Sequence, residues 1–207
     1  TLWALTGQRA VVELTRRGVV VAGTVAVAGC GLLPEESDPI EAAASTPATL
    51  PESAGYAEVA AEEATVETTI RVDFTGDVEL NGSREVVATV FRRVYQADDG
   101  SRLGVVTAPA VRIFESPEVV RDPVASLDDA RAVELATGLS VEGVGSAAED
   151  GSVTLLGTDT RLTTATATTG DGDVATAWTR VRAGEDSVTA VATGDGTAPF
   201  GAVTREG

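Results

Sequence analysis

The sequence contains no histidine, lysine or methionine, and its single cysteine is Cys30. Without histidine, the chain cannot assemble a Ser-His-Asp or Cys-His catalytic site. Zinc and copper sites lose their main protein ligands for the same reason. Aromatic residues make up only 4% of the chain, so the core must be built from small side chains such as alanine and valine. We therefore expect no cofactor and no resident metal, and we predict that the protein is not an enzyme.

The charge of the chain is strongly acidic. It has 32 aspartate and glutamate residues against 15 basic residues, all of them arginine, and its net charge is −17. This balance argues against a nucleic-acid partner, because binding to phosphate backbones requires an excess of basic side chains. An acidic surface keeps a protein soluble at high salt, where its self-repulsion is screened. Together with the alanine, valine, glycine and threonine content, it is typical of haloarchaeal proteins, although actinobacterial lipoproteins share part of this bias.

An uncharged segment at residues 18–28 follows the arginine pair Arg16 and Arg17. Its 11 residues are too few to cross a bilayer, which takes about 20. An apolar stretch of this length after a positive end is typical of a secretory signal peptide. The "TRRGVV" sequence resembles a twin-arginine export signal. We predict a signal peptide over residues 1–29, and we interpret residues 1–10 as lying upstream of the true translation start.

The segment ends in a motif that resembles the lipobox of prokaryotic lipoproteins. Val27 is the aliphatic residue, Ala28 and Gly29 are the small residues beside the cleavage point, and Cys30 is the lipid acceptor. The alternative is a buried helix in which Cys30 is a core thiol. The lipobox interpretation predicts transient contact with the export machinery and the signal peptidase. It then predicts a mature protein anchored through Cys30 to the extracellular face of the cytoplasmic membrane.

Composition divides the rest of the chain into three parts. Residues 30–55 are rich in proline, serine, glutamate and alanine, which predicts a flexible acidic linker, with a short helix near 52–61 as an alternative. Residues 56–196 are predicted to form a single folded domain. Residues 197–207 show too little pattern for an assignment beyond a C-terminal tail.

The domain alternates short apolar segments with turn signals. Strands are predicted over 66–74, 83–95 and 102–114, with turns at Asn81-Gly82 and Asp99-Gly100. A loop is predicted over 115–125, followed by a helix capped by Ser126 and ended by Gly138. Further strands are predicted near 152–157, 160–168, 174–183 and 187–193. The predicted class is α+β: an antiparallel sheet of about six to seven strands with one main helix packed on it.

Two sequence features raise the question of modification or metal binding. Asn81 begins an Asn-Gly-Ser acceptor for N-linked glycosylation, and the same dipeptide is an ordinary hairpin turn. The "GDGD" and "GDG" segments at 170–173 and 194–196 offer oxygen ligands of the kind that calcium prefers. Neither has EF-hand spacing, and Asp-Gly is equally typical of turns.

Three arginines and two large aromatic residues are further candidates for a functional or a core role. Arg92, Arg93 and Arg102 could form an anion-binding patch across the predicted hairpin, or each could pair with a neighbouring carboxylate. Trp178 and Phe91 are predicted to lie in the core.

The layout as a whole resembles a family of haloarchaeal twin-arginine-exported lipoproteins of unknown function. The matching pieces are the arginine pair, the lipobox, Gly55-Tyr56, "RLGVVTAPAV" and "TLLGTDTRLTTATA". The resemblance implies no catalytic residue. We therefore predict a lipid-anchored cell-surface protein that acts as a non-catalytic binding module for an unidentified ligand or envelope protein. The alternatives are an envelope structural or assembly factor and, less favoured, a carboxylate-dependent hydrolase.

Overall fold

The computed structural model describes residues 38–74, 80–115, 118–194 and 197–206. The strands are β1 (Ile40–Ala43), β2 (Ala48–Thr49), β3 (Ala57–Phe74), β4 (Leu80–Gln96), β5 (Arg102–Pro109), β6 (Val111–Glu115), β7 (Glu118–Arg121), β8 (Val141–Val144), β9 (Ala148–Leu155), β10 (Thr158–Thr169), β11 (Gly172–Ala183), β12 (Asp186–Thr193) and β13 (Thr204–Arg205). In the described ranges the one α-helix, α1, spans Asp129–Thr137, and three short 3-10 helices span Glu52–Ala54, Val124–Ser126 and Phe200–Ala202.

Nine of these strands form one sheet that curls into a half-barrel. The hydrogen-bonded order is β1-β4-β5-β12-β11-β10-β8, with β3 paired to β4 and β9 paired to β10. Neighbouring strands are antiparallel except for β1, which lies parallel to β4. Two smaller sheets, β2 with β13 and β6 with β7, complete the strand pairing that the structure describes.

The alternation predicted for the first hairpin is confirmed. Val66, Ile70 and Val72 are buried on one face of β3, whereas Glu67 and Thr69 between them are exposed. This is the period-two pattern of a strand with one buried face. The strand is longer than predicted, because it begins at Ala57 and pairs with β4 along its whole length.

The central strands β5 and β12 are buried on both faces. Along β5, Leu103 and Val105 point into one apolar cluster, and Val106 and Ala108 point into another. The cluster on the side of α1, here called the helix-side core, includes Val66, Ile70, Val86, Val90, Val106, Val124, Val133, Ala136 and Val191. The cluster on the opposite face, here called the tail-side core, includes Ala48, Leu50, Tyr95, Leu103, Val105, Leu155, Val188, Phe200 and Val203.

The predicted helix exists, and its end is confirmed. Gly138 has a left-handed φ of 68°, and its backbone N–H donates to Glu134 O. The predicted start is wrong: the carboxylate of Asp128, not the Ser126 hydroxyl, caps the helix by accepting from the Arg131 N–H at 2.9 Å. Ser126 lies in the preceding 3-10 helix, where its hydroxyl donates to Asp122 O.

The α+β class is wrong, because the described chain is mostly β-structure with a single short helix of nine residues. Two causes explain the error. Segments without a strong apolar pattern, such as 141–144 and 118–121, still form strands. In addition, sheet pairing extends several strands beyond their apolar stretches. These extensions carry no apolar pattern, so the sequence does not predict them.

The strand predicted over 102–114 is two strands in different sheets. Strand β5 ends at Pro109, and Val111 begins the β6–β7 hairpin. Proline has no N–H to donate and therefore favours a ladder end. The loop predicted over 115–125 is correspondingly wrong in part, because β7 occupies Glu118–Arg121.

Part of the segment predicted as a flexible linker is ordered into strands. Residues Ile40–Ala43 add to the main sheet beside β4, and Ala48–Thr49 pair with β13 of the C-terminal tail. The alternative helix near 52–61 is limited to one 3-10 turn, because Gly55 follows with φ of 78° and β3 begins at Ala57. Pairing with distant partners gives this polar segment its structure, and its composition carries no sign of that.

The turn predicted at Asn81-Gly82 is also wrong, because both residues lie within β4. Gly82 is needed there for a different reason. A Cβ atom at this position would lie 2.5 Å from the Phe114 ring, so the ring packs directly on the glycine backbone. The turn predicted at Asp99-Gly100 is confirmed between β4 and β5.

Gly104 in β5 provides a test of how closely α1 packs on the sheet. A Cβ atom there would lie 2.1 Å from Ala136 O. We expect Gly104→Ala to force the helix away and to lower the free energy of unfolding by about 1–3 kcal/mol, measured by urea denaturation. The control is Gly143→Ala, also in a strand, where a Cβ meets nothing within 4 Å. Equal effects of the two substitutions would contradict this packing.

Candidate functional site

The predicted export and lipidation residues lie outside the described residues. They are Arg16, Arg17, Val27, Ala28, Gly29 and Cys30. Their roles therefore stay predictions from the sequence.

The glycosylation and calcium motifs lie at strand positions and turns. Asn81 is opposite Asp73 in the β3–β4 ladder. Asp173 is the second residue of β11, and its carboxylate accepts from the Thr168 hydroxyl at 2.8 Å, across the hairpin. Within the described ranges no three histidine, cysteine, aspartate or glutamate side chains are placed to hold a metal ion. The "GDGD" segment thus acts as a hairpin turn; in the second motif, residues 195–196 lie outside the description.

Two of the three arginines considered as an anion patch, Arg92 and Arg102, lie near the end of α1, whereas Arg93 lies on the other face. Arg92 and Arg93 are adjacent in β4 and therefore point to opposite faces, where they pair with Glu62 and Glu58 respectively. Arg102 donates to Thr137 O at 3.1 Å, at the end of α1, where a cation is favoured by the helix dipole. The alternative of local pairing is the one that the geometry supports.

The two aromatic residues predicted as core are only half-buried. Trp178 packs at the border of the helix-side core, whereas Phe91 belongs to neither core cluster. Valine and alanine side chains fill most of both cores.

A buried ion pair joins the two ends of the described chain to the β11–β12 hairpin. The side chain of Asp186 is only 2% exposed and lies 2.5 Å from Arg205 Nη2. Ser45 donates to the same carboxylate through its hydroxyl at 2.6 Å and its backbone N–H at 3.1 Å. Arg205 also donates to Ala183 O and Thr46 O, at 2.9 Å each. We call Ser45, Asp186 and Arg205 the terminal clasp.

The clasp sets the protonation of its carboxyl group. Burial by itself raises the pKa of Asp186, because the charged form loses hydration. The hydrogen bonds from Ser45 and from the Arg205 guanidinium together outweigh burial, so the pKa of Asp186 lies below its ordinary value. The group is therefore ionised at neutral pH and acts as an acceptor for both chain ends.

Two hollows in the surface are poor candidates for a ligand site. The cavity under α1, between Val133 and Trp178, has a volume of about 60 Å³, which is too small for more than a few atoms. An open cleft at the hairpin ends is larger, about 470 Å³, and is lined by Asp99, Asp171 and Asp173. Its carboxylates serve the turns: the backbone N–H of Ser101 donates to Asp99 and lowers the pKa of that group.

The third hollow, here called the tail-side groove, lies where residues 197–200 cross strands β10–β12. Its volume is about 300 Å³, at the lower end of the range for small-molecule pockets. Its lining residues are small or apolar: Val153, Leu162, Thr164, Ala165, Ala175, Thr176, Ala177, Ala192, Gly194, Thr197, Ala198 and Phe200. None of these described lining residues is charged, although the chain carries a net charge of −17.

Sequence reasoning missed both the clasp and the groove. Asp186 is one of 32 acidic residues, and nothing local distinguishes it from those in solvated turns. Phe200 did carry a signal, because it is one of four phenylalanines and stands in a tail with few other large side chains. The groove residues on β10 and β11 are alanines and threonines, a composition that fits strands but does not predict a hollow.

Comparison with known proteins places the chain with a family rather than with a function. A family model described as a domain of unknown function, DUF6517, matches residues 43–198. No curated protein and no solved structure matches the chain. In the part of the chain that the structure describes, no helix combines the length and the apolar character needed to span a membrane.

The clasp predicts a specific loss of stability. Arg205→Met leaves the buried Asp186 carboxylate without its cation, and we expect the free energy of unfolding to fall by about 3 kcal/mol at neutral pH. As a control, Arg161→Met removes an exposed pair with Glu149 and should cost at most about 1 kcal/mol. Chemical denaturation of both variants in parallel measures the difference.

The pH dependence follows from the lowered pKa of Asp186. Because the folded pKa lies below the unfolded value, the stabilisation is complete above about pH 4 and is lost as the pH falls through the folded pKa. The unmodified protein should therefore lose stability below about pH 4 more steeply than Arg205→Met. Parallel acid unfolding curves for the two proteins would contradict the assignment.

Proposed function

The chain belongs to the DUF6517 family, whose function is unknown, and we propose that it is a lipid-anchored extracytoplasmic protein that binds a small ligand in the tail-side groove without catalysis. The uncharged groove is the observation that carries the proposal. Ligand sites are typically concave and mostly apolar, with a few polar groups that set orientation. The hydroxyls of Thr164 and Thr197 lie among the apolar lining residues and meet that description.

The anchoring part of the proposal comes from the sequence. Val27, Ala28 and Gly29 before Cys30 resemble a lipobox, and Arg16 with Arg17 resembles a twin-arginine signal. A lipid with two chains holds a protein stably at a membrane, whereas a single chain does so only weakly. Residues 38 onward would then be displayed outside the cell, on a haloarchaeal membrane if the acidic composition is taken as a guide.

The chemistry of the side chains favours binding over catalysis. Histidine is absent, and the tail-side groove has no carboxylate among its described lining residues. A carboxylate-dependent hydrolase needs two acidic groups that face a common substrate. The cleft lined by Asp99, Asp171 and Asp173 holds several acids, but the carboxylates of Asp99 and Asp173 accept hydrogen bonds within the turns.

A role as an envelope assembly factor is the second candidate, favoured by one feature of the fold. Strand β3 is 18 residues long, and among the strands that the structure describes it pairs only with β4. A free strand edge can accept a strand from another protein. Glutamates at positions 63 and 67 are exposed along this strand, and charged side chains are a common means of discouraging edge pairing. The groove is therefore the preferred site.

Binding of a neutral dye tests the groove. Full chain carrying Cys30→Ser, handled without detergent, should bind Nile red with increased fluorescence. Ala177→Phe places a ring in the groove and should weaken binding by roughly tenfold or more, while Ala147→Phe, in an exposed segment, should not. Ala198→Phe provides a second obstruction outside the sheet, and thermal unfolding verifies folding. Unchanged dye affinity in both folded groove variants would refute binding there.

Membrane fractionation tests the anchor independently. The protein with Cys30 should sediment with membranes, and its N-terminal peptide should carry the mass of an attached lipid. Cys30→Ser should release it to the soluble fraction, while Ser152→Ala, at an exposed position in β9, should leave it on the membrane. If Cys30→Ser protein remains membrane-bound, the lipid anchor is wrong.

A further inference from the structure

We propose that the ligand of the tail-side groove is an uncharged amphiphile with a single alkyl chain, bound as a free molecule rather than as part of a bilayer. This inference rests on the proposed function and specifies the chemistry of the same site. Four properties of the groove support it: its lack of charge, the state of its backbone groups, the size of its side chains and its surroundings.

The absence of charged side chains among the described lining residues disfavours ionic ligands. Among the described lining residues the polar side chains that face the groove are Thr164 and Thr197, because Thr176 points to the opposite face of β11. A carboxylate, phosphate or ammonium group that entered the groove would lose hydration and gain no opposite charge. The surrounding acidic chain further disfavours anions. A hydroxyl, ester or carbonyl oxygen on an otherwise apolar molecule matches the hydroxyl groups that are present.

The backbone of the groove is already paired, which argues against an extended peptide. The floor is the face of β10, β11 and β12. Strand β11 is hydrogen-bonded to β10 and β12, and β12 is also hydrogen-bonded to β5. The other side of β10 is hydrogen-bonded to β8 and β9. Peptide recognition by strand addition requires a free edge. A peptide lying on this face would bury its N–H and C=O groups without partners, at a cost of several kcal/mol each.

The side chains favour a thin, flexible chain over a planar ring. Alanines at positions 175, 177, 192 and 198 make up much of the surface, and Phe200 is the one aromatic residue among the described lining. Phe200 is buried and packs in the tail-side core. Aromatic ligands gain specificity from stacking partners, which this groove offers poorly. An alkyl chain gains affinity from contact area alone, in proportion to the number of methylene groups it buries.

The surroundings favour a free molecule over a membrane. Val59, 55% exposed, is the one large hydrophobic residue exposed among the residues that the structure describes. It lies in β3, at the far end of the strand order from the groove. Peripheral insertion into a bilayer requires apolar side chains that project together from one surface. The groove is recessed between the tail and the sheet, so a chain enters it one molecule at a time.

Displacement of Nile red by a matched pair of ligands tests this proposal. Lauryl alcohol and laurate have the same chain length, and laurate is ionised at about pH 8. With the detergent-free full chain carrying Cys30→Ser, we expect lauryl alcohol to displace the dye at concentrations roughly tenfold or more below those of laurate. Thr197→Lys adds a cation at an exposed lining position and removes one of the two groove hydroxyls, so it should improve laurate binding and weaken lauryl alcohol binding. Thr204→Lys, also exposed but outside the lining, is the control for the added charge.

The outcomes separate this inference from the proposed function. Preference for the alcohol, reversed or narrowed by Thr197→Lys but not by Thr204→Lys, supports it. Equal displacement by both ligands overturns the proposed neutrality while leaving groove binding intact. Dye binding that neither ligand displaces overturns the alkyl-chain inference alone. If Nile red does not bind, both proposals are wrong. Both are also wrong if the protein binds the amphiphile only when it is part of a vesicle.

Discussion

Strands β5 and β12 lie side by side at the centre of the sheet, and the protein excludes water from both of their faces. Val106 and Val191 point toward α1, whereas Val105 and Val188 point toward the terminal segments. With so few aromatic residues, neither core could be filled by large side chains, and burial depends on small residues packed at close range. Gly104, where α1 contacts the strand backbone, shows how close that approach is.

Coverage of the tail-side face depends on segments that are distant in sequence. Strands β2 and β13 pair across it, and the clasp holds both to the β11–β12 hairpin through Asp186. Arg93 adds a second link, because it pairs with Glu58 in β3 and with Glu206 in the tail. The charged interactions therefore position the terminal segments, and the apolar residues Leu50, Phe200 and Val203 stabilise them once they are there. The groove is a consequence of this arrangement, since residues 197–200 form one of its walls.

The sequence was informative where structure is local and uninformative where it is not. The period-two pattern around Val66 predicted a strand, and Gly138 predicted the end of α1, because each depends on neighbours in the chain. The strands within residues 40–49 could not be predicted, because they form by pairing with residues 86–89 and 204–205, which are distant in sequence. Asp186 is a similar case: its burial arises from Ser45 and Arg205, which are 141 and 19 positions away. The α+β class was wrong for the same reason, because edge strands and strand extensions form by pairing rather than by local pattern.

The central claim is that the tail-side groove binds a ligand, and methyl NMR tests it most directly. Alanine methyl groups line the groove at positions 175, 177, 192 and 198, while Ala44, Ala88 and Ala108 are buried elsewhere. Titration of lauryl alcohol into alanine-labelled full chain with Cys30→Ser should shift the groove methyls in a saturable manner and leave the other three unchanged. Shifts spread over both sets, or no shift at any groove methyl, would contradict the account.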